Sequence, residues 1–312
     1  MVEKRDFLSI TDVSAAENLQ IILRARQMKS ESGSSPLAGK SVALLFEKPS
    51  LRTRASFEVG IHQLGGHSIY LGQQEVGLGT RESASDVARV LSGYVDCIIA
   101  RVFSHQQLQE LADYASVPVI NALSDLEHPC QIVADMVTIQ EHKGALEGLK
   151  VTFIGDGNNV ARSLCLGLPA LGVSFSIATP RRYHKYDLDE ETLDMARRRV
   201  SQEKFDSVKV SALEDPTEAV QQADVVYTDV WTSMGQDAES EIRKQHFQGY
   251  TVNPELMDKA NLGALFMHDM PVHYGEEVED GMLDHPQSVA YDQAHNRLHG
   301  QKAILEFLFT GS

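Results

Sequence analysis

Apolar and polar positions along the chain form two successive series of alternating strand-like and helix-like segments. In the first, Ser14 to Met28 carries Leu19, Ile22 and Leu23 at helical spacing. A polar stretch, Ser30 to Pro36, reads as a loop. Val42 to Phe46, His67 to Leu71, Val95 to Val102 and Val117 to Ile120 are short apolar runs of strand type. Helical patterns over Arg52 to Leu64, Ser83 to Ser92, Gln106 to Ala115 and Pro129 to Glu141 separate or follow them. Glu141 to Gly148 is polar and glycine-punctuated, which predicts a hinge. The pattern then restarts. Strands are predicted at Lys150 to Ile154, Val173 to Ala178, Val208 to Ser211, Val225 to Thr228 and Gly263 to Met267, and helices at Asn159 to Leu171, Asp189 to Gln202 and His295 to Phe309. Alternation of this kind implies parallel strands joined by crossover helices. The expected fold is α/β: two tandem three-layer domains with mainly parallel sheets, residues 1–143 and 149–294, and the active site in the cleft between them.

Composition narrows the class of partner. With 312 residues the chain has length for roughly two domains. Its 28 Lys and Arg against 44 Asp and Glu give a net charge of −16, which opposes binding to nucleic acid or an anionic membrane. A small anion remains open, because a pocket can carry the opposite sign to the whole surface. Cys97, Cys130 and Cys165 are too few and too far apart for a disulfide framework or a cysteine zinc site. They read as buried packing residues. The opening MVEKRDFLSI lacks the apolar core of a signal peptide and no run has the length of a membrane span, so a cytoplasmic location is expected.

Candidate chemistry sits where strands give way to helices. After the strand ending at Phe46 comes Glu47-Lys48-Pro49-Ser50-Leu51-Arg52-Thr53-Arg54, with Ser50 as helix N-cap. The unpaired N–H groups and positive end of a helix, joined by two hydroxyls and two guanidiniums, make a cradle for an anion such as phosphate. Arginine at a helix start opposes the helix dipole, which favours a functional reading over a plain surface helix. His128 and Gln131, beside Pro129 at a second helix start, lie on one face and can both hydrogen-bond a ligand oxygen. Arg101 closes an apolar strand, at the edge where α/β folds bind ligands. In the second series, Gly155-Asp156-Gly157-Asn158-Asn159 lacks the glycine spacing of a dinucleotide loop, so NAD is disfavoured. Asn158 and Asn159 read as a helix cap or as amide donors to a small ligand. Asp229, at a strand end, suits a ligand ammonium, and the loop through Gly235 could close over it. His268, Asp269 and His273 match no strong zinc spacing, and no metal is expected.

Taken together, PSLRTR at 49–54, HPCQ at 128–131, GDGNN at 155–159, DVWTSMGQ at 229–236, HDMP at 268–271 and NRLHGQKA at 296–303 resemble the aspartate/ornithine carbamoyltransferase family over nearly the whole chain. The S-M-G element resembles the ornithine branch. The resemblance implies that residues 1–143, with the helix 295–312 packed back on them, bind carbamoyl phosphate and that 149–294 bind the amino acid. It places Ser50, Leu51, Arg52 and Thr53 around the phosphate, and Arg101, His128 and Gln131 at the carbamoyl end. Arg297 and Met270 join the carbamoyl-phosphate set, while Asn159, Asp229, Ser233 and Met234 hold ornithine. Arg101, His128 and Asp269 are the implied catalytic residues. A homotrimer, or a multiple of trimers, is implied too, with the Leu78 to Glu82 loop, Arg81 included, reaching a neighbour's site. This chain departs from the family in having Asp269 where Cys is usual, Leu51 for Thr, Gly77 for Gln and Tyr274 for Arg.

The implied reaction is attack of a neutral amine on the carbamoyl carbon with loss of phosphate, needing no metal or organic cofactor. Arg101, His128 and Thr53 would stabilise the oxyanion; Ser50, Arg52 and Arg54 would favour the leaving phosphate. Other acceptors (N-acylornithine, putrescine, aspartate) and a non-catalytic carbamoyl-phosphate-binding relative are the alternatives.

Overall fold

The protein, represented by a computed structural model, is described for residues 4–31, 33, 35–233 and 235–311. It divides into two compact units, Met1–Val137 with His295–Ser312, and Thr138–Ala294. The chain passes from one unit to the other within helices rather than within the polar stretch Glu141 to Gly148.

The first unit runs α1 (Ala15–Gln27), β1 (Ser41–Phe46), α2 (Leu51–Gln63), β2 (His67–Gly72), α3 (Gln73–Val76), α4 (Ala84–Leu91), β3 (Cys97–Arg101), α5 (His105–Tyr114), β4 (Val119–Leu123) and the start of α6 (Pro129–Lys143). Its sheet is wholly parallel in the order β2-β1-β3-β4. Val42 to Phe46 are buried, as are all five residues of β3, because helices cover both faces of a crossover-connected sheet. Ala43, Leu45, Ile98 and Ala100 pack on Val87, Leu108 and Leu111 from α4 and α5. The segment before α1 adds to the β4 edge: Phe7 bridges Ile120, and Glu127 accepts from Ser9 Oγ (2.7 Å) and Ile10 N–H (3.2 Å).

The second unit continues β5 (Lys150–Ile154), α7 (Asn159–Gly167), β6 (Ser174–Ala178), α8 (Glu190–Glu203), β7 (Val210–Leu213), α9 (Pro216–Ala219), β8 (Val225–Thr228), α10 (Ser240–His246), α11 (Pro254–Met257), β9 (Leu265–His268) and α12 (Ala290–Thr310), whose larger part belongs to the first unit. Its five strands are also all parallel, ordered β7-β6-β5-β8-β9. One core cluster joins Ile154, Val226 and Phe266 to Tyr186, Trp231 and Phe247. All three cysteines are buried and free. No helix among the described residues is long and apolar enough to cross a membrane.

Two helices differ from the pattern-based expectation. The helix expected to reach Leu171 stops at Gly167, and the chain goes on as a 3-10 turn over Pro169–Leu171. Pro169 has no N–H to continue the ladder and its ring crowds the preceding turn. The last helix begins at Ala290, ahead of His295.

Candidate active site

Each sheet has one point where successive crossovers leave in opposite directions, between β1 and β3 in the first unit and between β5 and β8 in the second. Loops beyond the strand ends diverge there and leave a crevice, the usual ligand position in open α/β sheets. The sequence candidates cluster at these two places.

In the first unit, β1 and β3 end in register, Phe46 beside Arg101. Ser50 caps α2 as expected: its Oγ accepts the Thr53 N–H at 3.3 Å. Thr53 Oγ1 then collects three donors, Ser50 Oγ at 3.0 Å, an Arg297 guanidinium nitrogen at 3.2 Å and an Arg101 guanidinium nitrogen at 3.4 Å. Arg297 also donates to Gln131 Oε1 at 2.5 Å. Thr53, Arg101, His128, Gln131 and Arg297 are all buried, Arg52 is half-buried, and Leu51 is 80% exposed at the first helical position.

The electrostatics fit an anion. Burial first, then the guanidiniums of Arg297, Arg101 and Arg52, hold the His128 imidazole well below its usual range. His128 is therefore neutral at pH 7, a hydrogen-bonding group rather than a cation. Lys48 is lowered as well, by burial and then by Arg101, and its ammonium stands 4.2 Å from the centre of the Phe103 ring. Gathering such cations at a helix N-terminus is unfavourable until an anion shares them. Arg54 has a different place from the one expected. It is exposed, bonds Glu58 at 3.0 Å and lies 3.7 Å over the Tyr70 ring, because the first turn of α2 carries it to the outer face.

In the second unit, β5 leads into Gly155 to Asn158 and β8 into Asp229. Asn158 is the N-cap of α7, its Oδ1 accepting from Val160 and Ala161 N–H at 3.0 and 3.1 Å. Its Nδ2 donates to Asp229 Oδ2 at 2.6 Å, and Asp229 Oδ1 accepts the Val230 N–H at 2.7 Å. Asn158 is thus the structural residue of the pair, and Asn159 is half-buried in the first turn of α7. Beyond Asp229, Arg243 donates to the Trp231 carbonyl at 2.8 Å and pairs with Asp156 at 2.7 Å, both side chains buried. Burial lifts the Asp156 carboxyl to about 6, even though Arg243 opposes the rise. Ser233 exchanges bonds with Gln236, its N–H going to Oε1 at 3.1 Å and its carbonyl accepting the Gln236 N–H at 3.0 Å. Met234 lies outside the described residues.

β9 delivers His268 and Asp269. Asp229, His268 and Asp269 bring a ligand atom each within 4.8 Å of one another. His268 Nδ1 accepts the Met270 N–H at 2.8 Å, which leaves the ring proton on Nε2, 3.3 Å from Glu277 Oε1. With both ring nitrogens engaged, the group is better suited to a cationic amine than to a metal. Met270 adopts φ 55°, a left-handed conformation costly for a side chain of its size, and packs against the second unit's core. Arg81 is exposed, 3.9 Å from Glu82, in the loop between Gly77 and Glu82.

Sequence reasoning gave no role to Lys48, Asp135 or Arg243. Lys48 directly precedes the Pro49–Arg54 motif, and only its burial beside Arg101 shows that its charge is felt at the cradle. Asp135 and Arg243 are visible only through contacts across turns or between distant elements.

The protein is thus a two-unit parallel α/β protein whose first unit gathers arginines into a cradle suited to an anion and whose second gathers Asp229, His268 and Asp269 into a group suited to a cationic amine. Residues 5–141 match the carbamoyl-P binding domain of aspartate/ornithine carbamoyltransferases and residues 147–308 their Asp/Orn binding domain, so the chain belongs to the aspartate/ornithine carbamoyltransferase family. Among its relatives is the ornithine carbamoyltransferase of Thermococcus kodakarensis, 47% identical over 98% of this chain and 97% of its own length. The solved ornithine carbamoyltransferase of Pyrococcus furiosus superposes with a TM-score of 0.93 at 46% identity, over 100% of this chain and 98% of that one. A solved acetylornithine transcarbamylase with acetylcitrulline is also similar, at 34% identity, 97% and 98% coverage and a TM-score of 0.87.

Proposed function

We propose that this protein transfers the carbamoyl group of carbamoyl phosphate to the δ-amine of L-ornithine, giving L-citrulline and phosphate. The observation that carries the reading is the convergence of Arg101 and Arg297 on the Thr53 hydroxyl at the start of α2, beside a neutral His128. Thr53 stands where an anion oxygen can take over donors that otherwise share one hydroxyl.

In this assignment the Ser50 and Thr53 hydroxyls, the Leu51 N–H and the Arg52 guanidinium hold the phosphate. Arg101, His128 and Gln131 polarise the carbamoyl oxygen, with Arg297 linking the two ends of the ligand. Asp229, Asn159, Ser233 and Met234 hold the amino acid, and Met270 with Asp269 faces the reacting groups. The amine attacks as the neutral base, the carbonyl electrons move to oxygen, and the C–O bond to phosphate breaks as they return. The amine's proton leaves to solvent or to phosphate, while Asp269 orients the amine. Positioning and charge stabilisation supply the catalysis, since phosphate is already a good leaving group. The enzyme assembles as a trimer or a multiple of trimers, with the Arg81 loop serving a neighbouring subunit, and works in the cytoplasm in arginine synthesis.

The test is a citrulline-forming assay with carbamoyl phosphate and a panel of L-ornithine, N-acetylornithine, putrescine and L-aspartate. Turnover with L-ornithine alone is expected, and Arg52→Ala should abolish it without loss of folding. A different preferred amine, or full activity in Arg52→Ala, refutes the assignment.

A further inference from the structure

We infer that Asp135, one turn beyond Gln131 on α6, is a positioning residue that selects the carbamoyl end of the substrate by fixing which way the Gln131 amide faces. The inference rests on the function proposed above and adds to it a residue outside the ligand shell.

Gln131 lies between two groups of opposite character. Its Nε2 donates to Asp135 Oδ1 at 2.7 Å, and its Oε1 accepts from Arg297 at 2.5 Å. All three residues are buried, Asp135 completely. The Asp135 oxygen accepts from the Gln131 amide NH2, and a guanidinium can only donate. Rotating the amide by half a turn would face oxygen to carboxylate and NH2 to guanidinium, losing both bonds and adding two repulsions. In the low dielectric of a buried site that penalty is large. Asp135 and Arg297 therefore permit a single orientation.

That orientation matters for one part of the ligand only. An amide offers two N–H donors and two carbonyl lone pairs, and Asp135 and Arg297 each occupy one. One donor and one lone pair remain, the complement of a carbamoyl group, which offers a carbonyl oxygen and an NH2. A bare phosphate offers acceptor oxygens to the Ser50–Thr53 cradle and has no use for a fixed amide. The Asp135–Gln131–Arg297 line thus distinguishes carbamoyl phosphate from the phosphate it leaves behind.

The experiment compares Asp135→Asn with native protein, using thermal melting as a fold check, carbamoyl-phosphate affinity, and inorganic phosphate as a competitive inhibitor. Asparagine keeps the volume but presents a donor as well as an acceptor, so the Gln131 amide loses one of its two constraints and is held by Arg297 alone. Carbamoyl-phosphate affinity should fall about tenfold, in line with the loss of a buried hydrogen bond, with phosphate inhibition changed less than about twofold. In a Gln131→Ala background Asp135→Asn should cause no further loss, because no amide remains to orient. Equal losses for both ligands, no loss for either, or an undiminished effect without Gln131 overturns the inference. Native protein that binds phosphate but not carbamoyl phosphate overturns the proposed function and this role with it, a result distinct from failure in the variant alone.

Discussion

Replacing Arg243 by Leu should destabilise the second unit in a way that depends on pH. In the native protein, burial raises the Asp156 carboxyl to about 6 from a usual 3.8. The folded state therefore holds extra protons between about pH 4 and 6, and stability from this group is greatest below pH 4 and is lost as pH rises through 6. The lift of about two units corresponds to about 3 kcal/mol. Arg243 is what keeps that figure from being larger, since its charge and hydrogen bond both lower the Asp156 value. In Arg243→Leu the carboxyl climbs further and the pH window of loss widens upward. At pH 8 the variant should be weaker by about 3–5 kcal/mol, the range for a buried ion pair stripped of one partner. At pH 5 Asp156 is mostly protonated in both proteins, so the loss is limited to the bond to the Trp231 carbonyl, the solvent-screened pair with Glu239 and some packing, about 1–2 kcal/mol. Urea unfolding at both pH values measures the gap. The chain has one tryptophan, Trp231, stacked on Phe247 at 5.3 Å between ring centres, so its fluorescence follows this unit alone. A gap of equal size at pH 5 and pH 8 would refute the reasoning.

Asn158→Ala should cost about 1 kcal/mol through loss of the α7 cap. It also frees Asp229 from a 2.6 Å bond, so the KM for ornithine should rise while that for carbamoyl phosphate holds; steady-state kinetics with each substrate varied in turn would show equal changes if the idea is wrong. In the proposed assignment Asp269 places a carboxylate near the attacking amine, which stabilises its ammonium form and opposes attack. The native enzyme should thus have a more alkaline optimum than Asp269→Cys, and pH–rate profiles showing the same or a more acidic optimum would contradict this.

The parts of the fold that were legible are those whose elements are long enough to show a period. β1 and the helix after it could be read directly, and with them the Ser50 cap. Single-turn helices such as Gln73–Val76 and Pro254–Met257 leave no periodic trace, since four residues make barely one turn and a period shows only when it recurs. In the candidate site, the local arrangement of Ser50, Arg52 and Thr53 shows in the sequence because strand end, cap and cations follow one another. Arg54 was misplaced for the same reason: adjacency in sequence says little about which side of a helix turn a side chain takes. Arg297 and Gln131, 166 residues apart, came together only through family resemblance, and Asp156 with Arg243, 87 apart, carried no local signal. Ion pairs between distant segments depend on tertiary placement, which periodicity does not encode.

Arg297 belongs to α12, yet it completes a cradle whose other members lie between Ser50 and Gln131. A nascent chain emerging from the ribosome would have made the whole second unit before that guanidinium appeared. Until then the first unit lacks its closing helix, and Thr53 and Gln131 wait without one of their donors. Under the proposed assignment, carbamoyl phosphate finds its complete cradle only once synthesis has passed α12, so a truncated polypeptide should be unable to sequester it.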